Sequence, residues 1–160
     1  MIFVTVGEQM PFDRLVKTVD DWAYKERRKD VYAQIGKTSY KPRCISYCRL
    51  LSPVDFKKKM MECSAIISHA GMGTIISALE VEKPIVIMPR FGNLHETRND
   101  HQIATAKILE KNEIATVAYN ENELKMILAK IDIISASSKI RHWASDELIL
   151  TIKKFINSAI

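Results

Sequence analysis

Two glycines stand between a short apolar segment and a predicted helix, in a position that could bind an anion. The loop spans His69–Thr74 and carries Gly71 and Gly73. Glycine lets backbone N–H groups approach a bound group closely, and the first turn of a helix favours negative charge. The Thr74 hydroxyl could donate to the same anion. These residue types favour a cradle for a phosphate or diphosphate, and an ordinary glycine-rich turn is an equally good interpretation.

A second polar segment, residues 90–102, follows the next apolar run. Asp100 and Gln102 stand at a predicted helix start and could bind sugar-like hydroxyl groups, although a plain N-cap is the simpler interpretation of Asp100. Arg90 opens the segment directly after a predicted strand. From that place alone, we expect it to assist at the same site.

The histidines near these loops do not form a metal-binding pattern. The spacing of His95, Glu96 and His101 matches neither H-E-x-x-H nor a Cys/His site, so we predict no metal. A histidine at a strand end, such as His69, is by default packed and hydrogen-bonded. Beside two glycines and a helix start, a role in phosphate binding is an equal alternative.

Competing nucleotide-binding motifs fail on their glycines. A dinucleotide fingerprint needs a third glycine after Gly71 and Gly73, and isoleucines follow instead. Gly36-Lys37-Thr38 looks like the end of a P-loop, but the first glycine of that motif would fall on Val31. No Ser/His/Asp set for nucleophilic catalysis is legible.

The composition is that of a globular protein. The chain has 160 residues, 47% hydrophobic and 27% charged, which excludes disorder, collagen and coiled coil. A chain of this length buries roughly 70% of its unfolded surface, enough for one core and cramped for two. We therefore predict a single domain over residues 1–160.

Charge and cysteine usage indicate compartment and partners. The 24 Lys and Arg against 19 Asp and Glu leave a net charge of +5, which would suit an anionic nucleotide or membrane surface. The basic runs are not interleaved with aromatic residues, so we predict no nucleic-acid partner. No apolar run approaches the ~20 residues that span a bilayer, and no signal peptide is visible. Cys44, Cys48 and Cys63 lack paired spacing, which predicts reduced thiols in a cytoplasmic protein.

Short β-branched runs alternate with helical periodicity along the chain. This alternation predicts an α/β fold, a Rossmann-like, doubly wound parallel six-stranded sheet with right-handed crossovers. The predicted strands cover residues 2–6, 31–35, 44–51, 65–68, 84–88 and 114–119. The predicted helices cover residues 12–23, 53–63, 74–82 and 100–111, with two more that start after Asn120 and at Ser145.

The common strand order 3-2-1-4-5-6 would place the polar loops together. In that order the direction of winding reverses between the first and fourth strands, and ligands bind beyond the carboxyl ends there. The loop over residues 7–12 should therefore face the His69–Thr74 loop across one crevice.

Several short motifs occur in a specific order and spacing. They are Val4-Thr5-Val6-Gly7, Pro11-Phe12-Asp13, His69–Thr74, Ala78-Leu79-Glu80, Lys83-Pro84, Met88-Pro89-Arg90 and Asn99-Asp100-His101-Gln102. Together they closely resemble the C-terminal donor domain of family 28 glycosyltransferases, half of a GT-B fold. The resemblance runs from residue 1 to about residue 118. Similar in size are the small single-domain members. They include the catalytic subunit of the two-subunit N-acetylglucosaminyl transferase of N-glycan assembly and bacterial exopolysaccharide counterparts.

The resemblance implies inverting transfer from a UDP-sugar, with no metal or other cofactor. It places residues 71–74 on the diphosphate and Asn99–Gln102 on the donor sugar. A membrane-associated partner subunit would supply the other Rossmann half and a lipid-linked or glycan acceptor, and the helix over residues 145–160 resembles an element that docks on it. The nucleotide-sugar site predicted in full is Gly7, Gln9, His69, Ala70, Gly71, Met72, Gly73, Thr74, Glu80, Arg90, Asn99, Asp100, His101 and Gln102.

Three positions depart from the family pattern. Glu8 stands where many members have Thr or Ser, so we expect it to point away from the diphosphate or to meet a basic group. Relatives often carry a ribose-binding Glu where this chain has Ser77, and the nearest acid is Glu80. Glu82 replaces the glycine that usually ends the helix, which predicts a different cap.

The resulting hypothesis is a donor-binding catalytic subunit of a glycosyltransferase in bacterial exopolysaccharide, capsule or lipid-linked glycan assembly, active as a complex. A non-catalytic interaction or regulatory module that retains the fold is an alternative, favoured by Glu8 and Ser77. A self-sufficient homodimeric transferase is another. No residue is identified as the catalytic base, which a partner could supply.

Overall fold

A computed structural model describes residues 1–136 and the single position 150 of the chain. Within this part, six strands form one parallel sheet. The strands are β1 (Ile2–Thr5), β2 (Val31–Gln34), β3 (Ser46–Cys48), β4 (Ala65–His69), β5 (Ile85–Met88) and β6 (Thr116–Val117). The helices are α1 (Asp13–Lys25), α2 (Pro53–Glu62), α3 (Met72–Glu80), α4 (His101–Lys111) and α5 (Glu121–Leu128), with 3-10 turns at Gly92–Leu94 and Ile131–Ile133.

The strand order is β3-β2-β1-β4-β5-β6. The predicted doubly wound parallel sheet and its order are therefore confirmed. The helix predicted over residues 145–160 lies outside the described residues, and its docking role stays a prediction. Among the described residues, none of the helices has the length and apolar character needed to cross a bilayer.

Two apolar layers cover the two faces of the sheet. Residues of β1 alternate between them: Val4 packs with α1 and α5, and Phe3 packs with α2, α3 and α4. All four residues of β1 are buried, as expected for a parallel strand that is covered on both faces.

The two outer strands are shorter than the sequence predicts. β3 has three residues because Cys44 and Ile45 donate their backbone N–H groups to the Asp20 carboxylate instead of to a neighbouring strand. β6 has two residues, since the N–H of Ile114 closes the end of α4 by donating to the Leu109 carbonyl at 2.9 Å. Each outer strand has one neighbour in the sheet, so local contacts compete with pairing there.

Helix α3 begins two residues earlier than predicted. Gly71 is its N-cap, with φ −94° and ψ 124°, so Gly73 and Thr74 lie within the first turn. The helix ends at Glu80 because Glu82 adopts a left-handed conformation, with φ 54°. The expectation of a different cap is therefore wrong: Glu82 adopts the left-handed conformation usual for glycine, and the Lys83 N–H donates to the Ala78 carbonyl at 3.0 Å as in a glycine-ended helix.

The segment between β2 and β3 is fastened to α1 by one buried carboxylate. Asp20 accepts hydrogen bonds from the N–H groups of Arg43 (2.9 Å), Cys44 (2.9 Å) and Ile45 (3.1 Å) and from the Tyr40 hydroxyl (2.7 Å). Burial raises the pKa of this carboxyl, but the four hydrogen bonds outweigh burial and hold it below its ordinary value. The segment is thus held over α1 near the crevice.

Among the described helices, three end on a left-handed residue that is not glycine: Arg27, Glu82 and Glu113. A left-handed conformation costs an L-residue roughly 1–2 kcal/mol, and glycine adopts it freely at the price of backbone entropy. We expect Glu113→Gly to raise the free energy of unfolding by about 1 kcal/mol, measured by urea denaturation. The control is Asn112→Gly, where φ is −95° and glycine should destabilise. A Glu113→Gly variant less stable than the wild type would contradict this account.

Candidate functional site

The loops after β1 and β4 meet at the carboxyl edge of the sheet, where the winding direction reverses. A cavity of about 560 Å³ opens between α2 and α3, and a second of about 430 Å³ opens beside His69. We call them the α2–α3 cavity and the His69 cavity. Gly7 and Glu8 line both, so the predicted crevice between the two loops is confirmed.

Most of the predicted site residues line one of these cavities. Those in the α2–α3 cavity are Gly7, Gly73, Thr74 and Glu80. Those in the His69 cavity are Gly7, Gln9, His69, Gly71, Arg90, His101 and Gln102. Four predicted residues, Ala70, Met72, Asn99 and Asp100, line neither.

The glycines of the two loops serve different purposes. A Cβ atom on Gly71 would overlap the imidazole Nε2 of His69, and one on Gly7 would lie 3.0 Å from its Cε1. These two glycines therefore make room for the His69 ring. At Gly73, apart from its chain neighbours and the backbone of its own helix, no heavy atom of the described residues lies within 4 Å of the Cβ position. Only Gly73 fits the interpretation that a glycine admits a ligand.

His69 is held as a neutral imidazole. Burial lowers its pKa to about 4, with the charge of Arg90 acting in the same direction and a backbone hydrogen bond to Thr5 acting against them. The Ser68 hydroxyl lies 3.5 Å from Nδ1. The packed and hydrogen-bonded histidine fits this environment, and a neutral ring can still donate one N–H to a phosphate, so both interpretations stay open.

Arg90 is a buried cation at the base of the crevice. Its side chain donates from Nη2 to the carbonyls of Val6 (2.7 Å) and Met10 (2.6 Å), and its guanidinium lies 5.1 Å from the centre of the Phe12 ring. Burial lowers its pKa to about 10, and the charge of Glu96 opposes this change, so Arg90 stays positive at neutral pH. Its Nε is buried with no hydrogen-bond partner among the described residues. An anion in the His69 cavity would meet an uncompensated positive charge.

The first turn of α3 adds unpaired donors. The first intrahelical bond runs from the Ile75 N–H to the Gly71 carbonyl, and Gly71 has no side chain to cap the turn. The N–H groups of Met72, Gly73 and Thr74 therefore have no acceptor within the helix, and they carry its positive dipole end. Ala70 is buried in the core and the exposed Met72 side chain lines neither cavity, so we expect these two residues to contribute backbone atoms here.

Asn99 and Asp100 hold their own loop. The Asp100 carboxylate accepts from the Gly92 N–H at 2.8 Å and makes no bond to α4, so the expected N-cap bond is absent. The Asn99 side-chain oxygen contacts the ring and the backbone N–H of His101. Their binding of the donor sugar stays a prediction.

Two of the three departures from the family pattern, Glu8 and Ser77, lie at the same site. Glu8 is exposed at the rim of both cavities and forms no ion pair within residues 1–136. It has no basic ion-pair partner among the described residues, and the turn at Gly7, with φ 71°, leaves it exposed at the solvated rim. That it points away from the diphosphate stays a prediction. Ser77 and Glu80 both line the α2–α3 cavity.

Two buried polar residues at this site are missing from the sequence-based prediction. Thr5 ends β1 and accepts from the Gly7 N–H at 3.4 Å, and Gln34 ends β2 and accepts from the Leu51 N–H at 3.0 Å. Gln34 also donates to the Thr5 hydroxyl at 3.4 Å. The available signal was a polar residue at the carboxyl end of an otherwise apolar strand. Among the described residues, no three His, Cys, Asp or Glu side chains are grouped to hold a metal ion.

We expect acid to destabilise the fold through His69. The folded pKa of about 4 lies below the ordinary 6.5, so the unfolded chain binds a proton that the folded chain excludes, and stability falls as pH drops from 6.5 towards 4. The loss between pH 7 and pH 5 should be about 2 kcal/mol in urea unfolding. In a His69→Gln variant this slope should flatten. An unchanged slope in that variant would show that another group is responsible.

The fold and the crevice define a doubly wound α/β domain whose crevice lies at the switch point of the sheet. The domain is similar to halves of solved GT-B enzymes. The glycotransferase of kitacinnamycin matches with a TM-score of 0.61 and 15% identity, over 82% of this chain and 34% of that one. Glycosyltransferase VinC, solved in complex with dTDP, matches with a TM-score of 0.53 and 17% identity, over 82% and 33%. These likenesses concern the fold.

The sequence profile of the glycosyltransferase family 28 C-terminal domain matches residues 1–153, and the chain belongs to that family. The predicted resemblance is confirmed. The UDP-N-acetylglucosamine--N-acetylmuramyl-(pentapeptide) pyrophosphoryl-undecaprenol N-acetylglucosamine transferase of Prochlorococcus marinus (strain MIT 9215) is 25% identical over 144 residues. The match covers 77% of this chain and 38% of that relative, so this chain corresponds to less than half of the relative's length.

Proposed function

We propose that this chain is the nucleotide-sugar-binding half of a UDP-sugar-dependent, inverting glycosyltransferase. The observation that carries the proposal is Arg90, a buried cation with an unpartnered Nε, at the base of a cavity that adjoins the first turn of α3. A diphosphate supplies the negative charge that this arrangement lacks. The guanidinium and the α3 amides are held by the fold before any ligand arrives, which favours tight binding of an anion.

The two cavities would divide the donor between them. The walls of the α2–α3 cavity include Leu51, Phe56 and Met60, which suit a nucleoside base, and Ser77 and Glu80 lie there for the ribose hydroxyls. The diphosphate would lie where the two cavities adjoin, against Gly73, Thr74 and the α3 amides on one side and Arg90 on the other. The sugar would then enter the His69 cavity beside His101 and Gln102.

The chemical step needs little from this chain beyond charge and position. The acceptor hydroxyl attacks the anomeric carbon from the face opposite the nucleotide, and the bond to the β-phosphate oxygen of UDP breaks. Negative charge grows on that oxygen, where Arg90 and the α3 amides would stabilise it. The acceptor proton goes to a base that we expect from a partner. No metal or other cofactor has a part in this proposal.

The acceptor and the partner belong to the same proposal. We infer a membrane-associated second subunit that binds a lipid-linked or glycan acceptor, in assembly of a bacterial exopolysaccharide or capsule at the cytoplasmic face of the membrane. The resemblance to the small family members supports this inference, and the net charge of +5 suits an anionic surface. The curated relative is named for N-acetylglucosamine transfer, so UDP-N-acetylglucosamine is the first donor to test.

Calorimetry with UDP and with uridine tests the proposal. We expect UDP to bind at least roughly tenfold more tightly than uridine, because one charge-assisted hydrogen bond contributes about 1.5–3 kcal/mol. Equal affinities for UDP and uridine would show that the diphosphate makes no favourable contact in the site. No UDP binding by the folded chain, alone or with a candidate partner, would overturn the proposal.

A second candidate function is a non-catalytic interaction module that retains the fold. Glu8 favours it, since an unpaired carboxylate at the rim of both cavities would repel a diphosphate. This candidate predicts partner association without turnover of the donor. Donor hydrolysis and transfer assays on the complex with the partner separate the two. A mass measurement in solution with an activity assay on the chain alone tests the homodimer.

A further inference from the structure

Two arginines with different surroundings contact the ring of Phe12. The guanidinium of Arg14 lies 5.4 Å from the ring centre, and that of Arg90 lies 5.1 Å from it. Arg14 forms a bidentate ion pair with Glu96, with Nε to Oε1 at 2.8 Å and Nη2 to Oε2 at 2.9 Å. Arg90 donates to backbone carbonyls and keeps an unpartnered Nε. Glu96 is therefore near both arginines and forms an ion pair with Arg14 only.

Glu96 is held close to Arg90 by the backbone. Its Oε2 also accepts from the N–H of Phe91, the residue that follows Arg90, at 3.0 Å. Glu96 is 11% exposed as a side chain, so it depends on a cation for compensation. Its charge already acts on Arg90, whose pKa it raises against the effect of burial.

Arg14 is fixed in place by contacts beyond the ion pair. It donates to the carbonyls of Pro89 (3.2 Å) and Tyr119 (3.5 Å), and the Phe91 ring lies 5.2 Å from its guanidinium. These three contacts fix the orientation of the guanidinium, so that it binds both carboxylate oxygens of Glu96 at the same time. A planar, bidentate pair of this kind is geometrically specific.

We propose that Arg14 is a positioning residue that occupies Glu96 and so keeps the charge of Arg90 available to the phosphate of the ligand. The inference rests on the proposed function, because it assigns Arg90 to an anionic ligand. Without Arg14, the buried Glu96 carboxylate would have no cation paired with it, and Arg90 is the second arginine that contacts the Phe12 ring. Glu96 would then compete with the diphosphate for Arg90.

Three variants and two ligands test whether Arg14 keeps Glu96 away from Arg90. Arg14→Met should weaken UDP binding roughly tenfold, the scale of one partly screened charge pair, and leave uridine binding unchanged. The double variant Arg14→Met/Glu96→Gln should return UDP affinity to within about twofold of the wild type, because the competing charge is gone. Glu96→Gln alone should bind UDP no more weakly than the wild type. A purely structural role for Arg14 would give no rescue, since the double variant still lacks the ion pair.

Arg28→Met is the matched control. Arg28 forms ion pairs with Asp30 (2.8 Å) and Asp132 (2.6 Å) and lies 5.4 Å from the Trp22 ring. Arg14 lies in the first turn of α1 and Arg28 follows its last turn. The 13 residues of this helix, at 1.5 Å per residue, separate the two arginines by about 20 Å. This control should lose stability and keep its affinity for UDP.

The outcomes separate this inference from the function on which it rests. A wild-type chain that binds no UDP overturns the proposed function and the inference with it. A wild type that binds UDP, with Arg14→Met of equal affinity or a double variant as weak as Arg14→Met, overturns the inference alone. Should Arg14→Met fail to fold, Glu96→Gln decides: unchanged or tighter UDP binding supports the proposal, and weaker binding overturns it.

Discussion

Replacing Gly73 by leucine should reduce UDP affinity about a hundredfold while the free energy of unfolding rises by about 1 kcal/mol. The loss reflects one or two charge-assisted hydrogen bonds from the α3 amides, each worth about 1.5–3 kcal/mol, that a side chain would block. The free energy of unfolding rises because leucine is a better helix former than glycine by about 0.8–1 kcal/mol. Outside its own turn of helix, no described atom lies within 4 Å of the Cβ position, so a side chain can leave the backbone here without a clash at its first atom.

Two neighbours serve as controls for Gly73→Leu, read by calorimetry and by urea denaturation. Met72 is in the same turn, lines neither cavity and is exposed, so Met72→Leu should change neither quantity. Gly71→Leu should destabilise the fold instead, because its side chain would overlap the His69 ring. If Gly73→Leu keeps the wild-type affinity for UDP, the diphosphate does not bind at the first turn of α3.

Removing the Asp20 carboxylate should cost about 4 kcal/mol of the free energy of unfolding. Asp20→Ala leaves three backbone N–H groups and the Tyr40 hydroxyl without their acceptor, and each unsatisfied buried group costs about 1–3 kcal/mol, less where water can enter. Asp20 is 2% exposed. The segment it anchors also carries Thr38, whose hydroxyl accepts from the Phe12 N–H at 3.1 Å, so the start of α1 should loosen as well.

Asp21→Ala is the matched control for Asp20→Ala in urea denaturation at pH 7. Asp21 pairs with Lys17 on the exposed face of the same helix, and such pairs contribute about 0.5 kcal/mol or less. The pKa of Asp20 is lowered, so its contribution is present above the ordinary value near 3.8 and is lost as pH falls below it. A cost for Asp20→Ala below that of Asp21→Ala would contradict the anchoring role.

Much of the fold follows from local patterns. Ser52 accepts from the Asp55 N–H and Pro53 opens α2, and Asn120 accepts from the Glu123 N–H at the start of α5. These starts depend on side chains within a few residues of the backbone groups they bind, so the sequence contains the whole interaction. The bounds of β3 and β6 were not predictable in this way, because Asp20 and the end of α4 compete for their backbone groups.

The location of the candidate site was predictable from the sequence, and the role of each residue in it was less so. The winding rule brings the loops after β1 and β4 together, and ten of the fourteen predicted residues line the two cavities there. The purpose of each glycine was not predictable. Gly7 and Gly71 make room for an imidazole that comes from the end of β4, and only coordinates show which positions that ring occupies.

By itself, the sequence determined the order of strands and helices, the crevice at which the polar loops meet, and membership of family 28. Periodicity, helix starts and motif spacing are short-range properties, so they can be read along the chain. The tertiary structure alone decided the charges at the crevice: a neutral His69, a buried and unpaired Arg90 and an Arg14 that occupies Glu96. Those properties come from burial and from contacts such as Arg14 with Glu96, 82 residues apart, which no local pattern encodes.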